Sequence, residues 1–220
     1  MSQPVIFCDF DGTVTEKDNI IAIMNEFAPD GWEEQKEGVL NRTISIREGV
    51  GKMFSLLPVS LKDEIIEFAI KNARIRPGFQ EFLDFAAEEG IPVYIVSGGI
   101  DFFIEPIINS FGPLAGVFCN GSDFSGETIK IEWPNSCDDQ CSNDCGCCKP
   151  SIMRKLEHDG IKKIVIGDSV TDLEAAKQAD MVFARDYLKD KCEEWKIPYT
   201  PFGTFHDCVE ALKIQTGVRG

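Results

Sequence analysis

The apolar run Pro4-Val5-Ile6-Phe7-Cys8 ends in Asp9-Phe10-Asp11-Gly12-Thr13-Val14-Thr15. An apolar stretch without alternation fits a strand buried on both faces, and this one delivers two carboxylates at its end. An extended chain sends side chains i and i+2 to one face, so Asp9 and Asp11 converge, while Gly12 lets the backbone turn away. Two buried acids repel each other. The pair becomes tolerable when a cation neutralises part of the charge or when one acid keeps its proton, and both conditions suit phosphate chemistry. Taken alone, the same residues also fit an acidic turn with no chemistry attached.

Three later segments bear on that choice. Ile91-Pro92-Val93-Tyr94-Ile95-Val96 is a second buried-strand pattern, and it runs into Ser97-Gly98-Gly99, a hydroxyl followed by backbone that an anion can approach closely. Lys149 precedes Pro150, a residue favoured in the first helical turn, which places the lysine at a helix N-terminus that attracts anions. Lys163-Ile164-Val165-Ile166 leads into Gly167-Asp168-Ser169-Val170-Thr171-Asp172, with Asp168 and Asp172 around a turn that opens a helix. Each segment has a plainer reading: a turn, a solvated lysine, a helix cap.

The spacing of apolar residues organises the rest. Ile20, Ile23, Met24 and Phe27 form a helical stripe, Val50, Met53, Phe54, Leu56 and Leu57 a further apolar stretch that Pro58 breaks, and Leu61, Ile65, Ile66, Phe68 and Ala69 one more amphipathic helix. Successive helices between the first two strands predict an inserted helical cap over residues 16–75. Residues 1–15 and 76–220 then form a discontinuous catalytic core. From Arg76-Pro77-Gly78 onward helix and strand alternate, which predicts an α/β fold: a three-layer, Rossmann-like parallel sheet with the first strand near its centre and the site segments at strand carboxyl ends. Thr128 to Trp133 alternates with period two and reads as a hairpin arm. The chain is long enough for one large core and a smaller accessory one.

Taken together and in this order, Asp9-x-Asp11, Ser97, Lys149 and the Asp168/Asp172 pair resemble the four motifs of the haloacid dehalogenase superfamily of phosphohydrolases. The resemblance spans most of the chain, and the cysteine-rich stretch before Lys149 makes it similar to a methionine-salvage branch of that superfamily. It implies a haloacid dehalogenase-like fold and a Mg2+-dependent phosphatase acting on a small phosphorylated metabolite. Asp9 would be the nucleophile and Asp11 the general acid and base. Ser97, Gly98 and Lys149 would hold the phosphate; Asp9, the backbone carbonyl of Asp11, and Asp168 would hold the metal; and Asp172 would orient Lys149 or a metal-bound water.

Specificity would then reside in the cap, at Glu16, Asn19, Lys52 and Met53. Phosphoserine phosphatases, which share this cap type, use a cap arginine for the substrate carboxylate. The corresponding stretch here reads Gly51-Lys52-Met53-Phe54-Ser55, which disfavours an amino-acid substrate and leaves room for an apolar tail. Phosphoserine or a phosphorylated amino-alcohol stays open as a second substrate class. A retired fold serving as a zinc or redox module is a third reading, and the full set of motif residues argues against it. His158 and His206 lie outside the motifs and read as structural.

Composition sets the outer bounds. With 22 basic and 37 acidic residues the net charge is −15, which argues against nucleic acid or an anionic membrane as partner. Local positive potential must therefore be focused at the phosphate site. No apolar run approaches the roughly 20 residues of a membrane span and no basic-then-apolar leader is present, so a cytoplasmic location is expected. The oligomeric state is open, with a homodimer as one option. Nine cysteines in a reducing compartment should be thiols. Cys137, Cys141, Cys145, Cys147 and Cys148 could bind a structural zinc, but without paired C-x-x-C knuckles, closely packed reduced thiols are the favoured reading.

Overall fold

The first strand is apolar on both of its faces, and the rest of the fold is arranged to cover them. The structure, a computed structural model, describes residues 3–158 and 160–216. In chain order its elements are β1 (Gln3–Cys8), α1 (Asn19–Phe27), α2 (Glu33–Leu40), α3 (Ile46–Ser55), α4 (Lys62–Asn72), α5 (Phe79–Glu88) and β2 (Val93–Ile100). There follow α6 (Asp101–Ile108), β3 (Gly116–Asp123), β4 (Lys130–Glu132), α7 (Lys149–Lys155), β5 (Ile161–Gly167), α8 (Leu173–Ala176), β6 (Met181–Ala184), α9 (Asp186–Trp195), β7 (Thr200–Pro201) and α10 (Phe205–Thr216).

The strands form one sheet in the order β4-β3-β2-β1-β5-β6-β7. Its pairs are parallel apart from β3 with β4, and β1 sits at the centre as the sequence predicts. Ile6 and Cys8 join a cluster with Phe82 and Phe103 from α5 and α6, whereas Val5 and Phe7 pack with Ile152 and Met153 of α7. Burial on both faces is what a central parallel strand requires. No helix among the described residues is long and apolar enough to cross a membrane.

Two expectations need adjustment. Strand β2 does not end before Ser97 but continues to Ile100, with an irregular register against β3 between Val96 and Ile100. The kink keeps Ser97 and Gly98 near the strand end while Gly99 packs inward. The smaller accessory core is not separate: Ile23, Met24, Met53, Phe54 and Ile65 of the helical insertion are contiguous with the α5 face of the sheet. Phe54 meets Phe102 edge to face across the boundary, ring centroids 6.1 Å apart.

The insertion leaves and returns at one place. Thr15 and Ile75 form an isolated antiparallel bridge, flanked by Glu16 N–H to the Arg74 carbonyl and Arg76 N–H to the Val14 carbonyl, both at 2.8 Å. A second tie comes from the hairpin arm. Val59 N–H donates to the Glu127 carbonyl (3.0 Å) and Ile129 N–H to the Leu57 carbonyl (2.9 Å).

Candidate active site

Strands β1 and β5 are adjacent and in register, Cys8 opposite Ile166, so the residues following them emerge side by side. Asp9 N–H donates to the Ile166 carbonyl at 2.9 Å, which fixes where Asp9 leaves the sheet. Lys149, the first residue of α7, reaches the same point: its Nζ lies 2.7 Å from Asp9 Oδ1 and also hydrogen-bonds Asp172 Oδ1. All three side chains are at most 4% exposed. A buried ammonium between two carboxylates is tolerable only because each charge has a partner. Burial alone would push the Lys149 ammonium down, yet the charges of Asp172 and Asp9 outweigh it and hold the group above its ordinary value.

Asp172 is committed on its other side as well. Its Oδ2 accepts from the backbone N–H groups of Asp168 (3.1 Å) and Ser169 (3.0 Å), in a capping box at the turn entering α8. Lys149 Nζ therefore meets a carboxylate that backbone donors already hold in place. Asp168 faces inward toward Thr13, whose hydroxyl donates to its Oδ1 at 2.8 Å. Burial, with the charges of Asp9 and Asp172, pushes the Asp168 carboxyl up to about 9; burial and Asp172, partly offset by Lys149, push Asp9 up to about 7. One ammonium is too little charge for these acids. Carboxylate oxygens of Asp9, Asp168 and Asp172 lie within 4.8 Å of one another, and such an all-oxygen set with surplus negative charge fits a hard divalent cation.

Asp11 sits at the edge of this group. Its Oδ1 accepts from Asn19 twice, the side-chain amide at 2.6 Å and the backbone N–H at 3.1 Å, and Ser97 Oγ lies 3.5 Å from its Oδ2. Burial and the nearby charge of Asp18 push the Asp11 carboxyl up to about 8, against the lowering effect of Asn19. The Ser97 hydroxyl also accepts from Gly99 N–H at 3.0 Å. Gly12, at φ +83, could not be replaced cheaply: a Cβ there would stand 2.4 Å from Asp168 Oδ2.

These groups open onto a cavity of about 380 Å³ between sheet and insertion. Asp9, Asp11, Ser97, Gly98 and Asp168 form its floor; Ile20, Ile21, Val39, Ile46, Val50 and Met53 give it an apolar roof. Lys149 and Asp172 lie beneath the floor. Of the four cap residues expected to set specificity, Met53 lines the cavity, whereas Asn19 is buried and spent on Asp11 and Thr15. The structure does not bring Glu16 or Lys52 to the cavity. Glu16 is exposed at the hinge, and Lys52 pairs with Glu48 at 2.6 Å on the outer side of α3. His158 and His206 do not line it either.

Several contributors escaped the sequence reading. Lys36 lines the cavity from within α2, Arg42 from just past its end, and Asp186 and Tyr187 from the start of α9. Arg76 is 5% exposed and staples the loop after β1. Its Nε donates to the Thr13 carbonyl at 2.7 Å, and its Nη2 donates to the carbonyls of Gly12 at 2.8 Å and Thr15 at 3.3 Å. Asn120 Nδ2 donates to the Gly98 carbonyl at 2.7 Å and so steadies that glycine at the cavity floor. An Arg-Pro-Gly boundary was the only signal at Arg76, and Asn120 carried none.

Comparison with known proteins agrees with this geometry. Residues 6–177 match the haloacid dehalogenase-like hydrolase family. Over 211 residues the chain is 59% identical to the 2-hydroxy-3-keto-5-methylthiopentenyl-1-phosphate phosphatase of Geobacillus kaustophilus (strain HTA426), covering 96% of each chain. It is 51% identical over 215 residues to the protein of that name in Lysinibacillus sphaericus (strain C3-41), covering 96% of this chain and 94% of the other. Among solved structures, a phospho-aspartyl intermediate analogue of phosphoserine phosphatase superposes with a TM-score of 0.68 at 23% identity, covering 87% of this chain and 91% of that one, a likeness of fold. The carboxylates beyond β1, the serine in β2, the lysine opening α7 and the acids beyond β5 meet at one point because this chain belongs to the haloacid dehalogenase-like hydrolase family.

Proposed function

We propose that the chain hydrolyses 2-hydroxy-3-keto-5-methylthiopentenyl-1-phosphate, the substrate in the names of its relatives, to 1,2-dihydroxy-3-keto-5-methylthiopentene and inorganic phosphate, as a step of methionine salvage. The chain is a phosphoric monoester hydrolase. The observation that carries the substrate reading is the cavity itself, polar and acidic at its floor and apolar at its roof. A phosphate end and a methylthio end would fit it in one orientation.

In this reading residues 16–75 are the cap that closes over substrate. Asp9 attacks phosphorus through Oδ2, since Oδ1 is occupied by Lys149, and becomes an aspartyl phosphate. Lys149 opposes the rise that burial and Asp172 impose on the nucleophile and so favours its ionised form. Asp11, held by Asn19 through Oδ1, keeps Oδ2 for the proton it gives to the departing enol oxygen; it then accepts a proton from the water that attacks the phosphoenzyme. A carboxyl raised by burial is suited to both duties. Ser97 and the Gly98 N–H hold phosphate oxygens, with Lys36 and Arg42 adding positive potential from the cap side. Mg2+, the ion that phosphatases of this family generally use, supplies charge neutralisation on the phosphoryl group when bound, and Asp9, Asp168 and the Asp11 backbone carbonyl would hold it.

Arg42 keeps the second substrate class in the test, because a cap arginine does line the cavity, although not in the stretch where the sequence directs attention. The deciding experiment measures phosphate release from a panel containing the enzymatically generated enol phosphate, phosphoserine, and an amino-alcohol phosphate. The expected result is a kcat/KM for the enol phosphate at least about a hundredfold above the others. Preference for phosphoserine would reassign the substrate while leaving the chemistry in place.

A further inference from the structure

We propose that Cys137, Cys141, Cys145 and Cys148 bind one structural zinc ion as a closed tetrathiolate. Their four sulfurs lie within 4.8 Å of one another, and Cys141 Sγ is 3.9 Å from Cys145 Sγ. Sulfurs placed about 2.3 Å from a tetrahedral zinc stand about 3.8 Å apart, whereas a disulfide needs about 2.05 Å. All nine cysteines are free. The fifth thiol of the segment is an internal control: Cys147 is buried against the Val5 and Phe7 face, its Sγ donating to the Phe118 carbonyl at 3.7 Å.

The backbone is shaped for convergence. Asp144 at φ 50 and Gly146 at φ 78 turn the chain on either side of Cys145, which folds a C-x3-C-x3-C-x2-C spacing back on itself. Donors already point at two of the sulfurs, Cys145 N–H at Cys137 Sγ (3.4 Å) and Ser151 Oγ at Cys148 Sγ (3.0 Å), as thiolate ligands commonly require. No residue from Cys137 to Cys145 is buried or lies in a helix or strand. Such a segment has no apolar core to hold it, and a metal supplies the missing folding energy. An all-sulfur tetrahedral set selects zinc over hard cations, so this site is distinct from the carboxylate site. The apparent lack of C-x-x-C arises because Cys147 stands inside one, Cys145-Gly146-Cys147-Cys148.

The segment joins two parts of the enzyme. Cys148 immediately precedes Lys149, while the Asp144 carboxylate accepts from Ser45 Oγ at 2.7 Å and its carbonyl from Arg47 N–H at 3.2 Å, at the start of α3. The zinc would therefore fix the strap that runs from the phosphate-site lysine to the insertion.

The test is elemental analysis of the full chain, produced with zinc supplied and purified without chelator, with thiol titration alongside. One zinc per chain is expected, released by a mercurial reagent, with a thiolate-to-cobalt charge-transfer band when cobalt replaces it. C141S and C145S should each lose the metal and C147S should keep it. Chelation should lower Tm by several degrees. The proposal is overturned by a folded, reduced chain that carries no zinc and takes none up, by iron in its place, by a Cys141–Cys145 disulfide in peptide mapping, or by C141S and C145S retaining stoichiometric zinc. Should those variants not fold, metal content and cobalt spectrum of the wild-type chain decide alone.

Discussion

Asn19 donates both its side-chain amide and its backbone N–H to a single oxygen of Asp11, at 2.6 and 3.1 Å. The first residue of α1 thus sets the angle of a carboxyl in the loop after β1, so the group proposed to transfer the proton is aimed from the insertion. Asn19→Ala should lower kcat by about ten- to a hundredfold, the scale of a misplaced catalytic group, with little change in KM. The loss should be larger on alkyl phosphates than on p-nitrophenyl phosphate, whose leaving group needs little proton help. Equal losses on both substrates would detach Asn19 from the acid.

Asp9→Asn should fold, bind phosphate weakly and form no phosphoenzyme, and removal of divalent metal with a chelator should silence the wild-type enzyme until Mg2+ is restored. Rapid-quench trapping of labelled enzyme reads the first outcome. Turnover by the purified variant at a rate near wild type would exclude covalent catalysis through Asp9.

Lys149→Met should cost stability as well as activity. It leaves the buried Asp9 and Asp172 facing each other without their shared ammonium, a loss of about 3–5 kcal/mol for breaking a buried pair from one side. Urea unfolding checks this. The double variant Lys149→Met with Asp172→Asn should recover part of the stability and none of the activity.

Met53→Arg should depress kcat/KM for the methylthio substrate by about 1–3 kcal/mol more than for a small generic phosphate, because a charge replaces an apolar contact at the cavity roof. Proportional loss on both would mean that Met53 is packing alone and that the roof does not read the tail.

Asp207 gives a pH-dependent handle outside the cavity lining. Its Oδ2 accepts from the N–H groups of Thr204 and Gly203, each at 2.8 Å, and these bonds hold its carboxyl below the usual range. A carboxyl whose folded pKa is depressed stabilises above its unfolded value and loses that contribution as pH falls through the folded one. The Tm gap between wild type and Asp207→Ala should therefore be full at about pH 7 and should narrow below about pH 4. A gap unchanged across that range would assign the effect to helix propensity.

The sheet was legible because its strands are continuous apolar runs with acids or small polar residues at their ends, and because parallel pairing of neighbours then forces Asp9, Asp11, Ser97 and Asp168 to one edge. What escaped depends on distance in sequence. Arg76 acts on carbonyls more than 60 residues away, and no local pattern announces such a contact. Helix α2 buries none of its residues, so its segment reads as a solvated stretch although Lys36 and nearby Arg42 face the cavity. The chain beyond Ala184 carries weak periodicity, and with it went Tyr187 at the cavity rim and Gly203, whose carbonyl accepts from Arg76 at 3.3 Å. The cysteines show the same limit: their spacing was legible, but the two left-handed turns that gather four sulfurs were not.

The bonds between the hairpin arm and the insertion, Val59 to Glu127 and Ile129 to Leu57, restrict how substrate can enter. A door hung only at Thr15 and Ile75 could swing as one piece, but this one is latched along a second edge as well, and a full swing would break a run of backbone pairing beside the buried Phe54 and Phe102 rings. Leu40 and Tyr187, both exposed and both lining the cavity, mark a rim that carries no such latch. Were the proposed enol phosphate to pass there tail last, Lys36 and Arg42 in the cavity wall would draw its phosphate end into a protein whose net charge otherwise repels it.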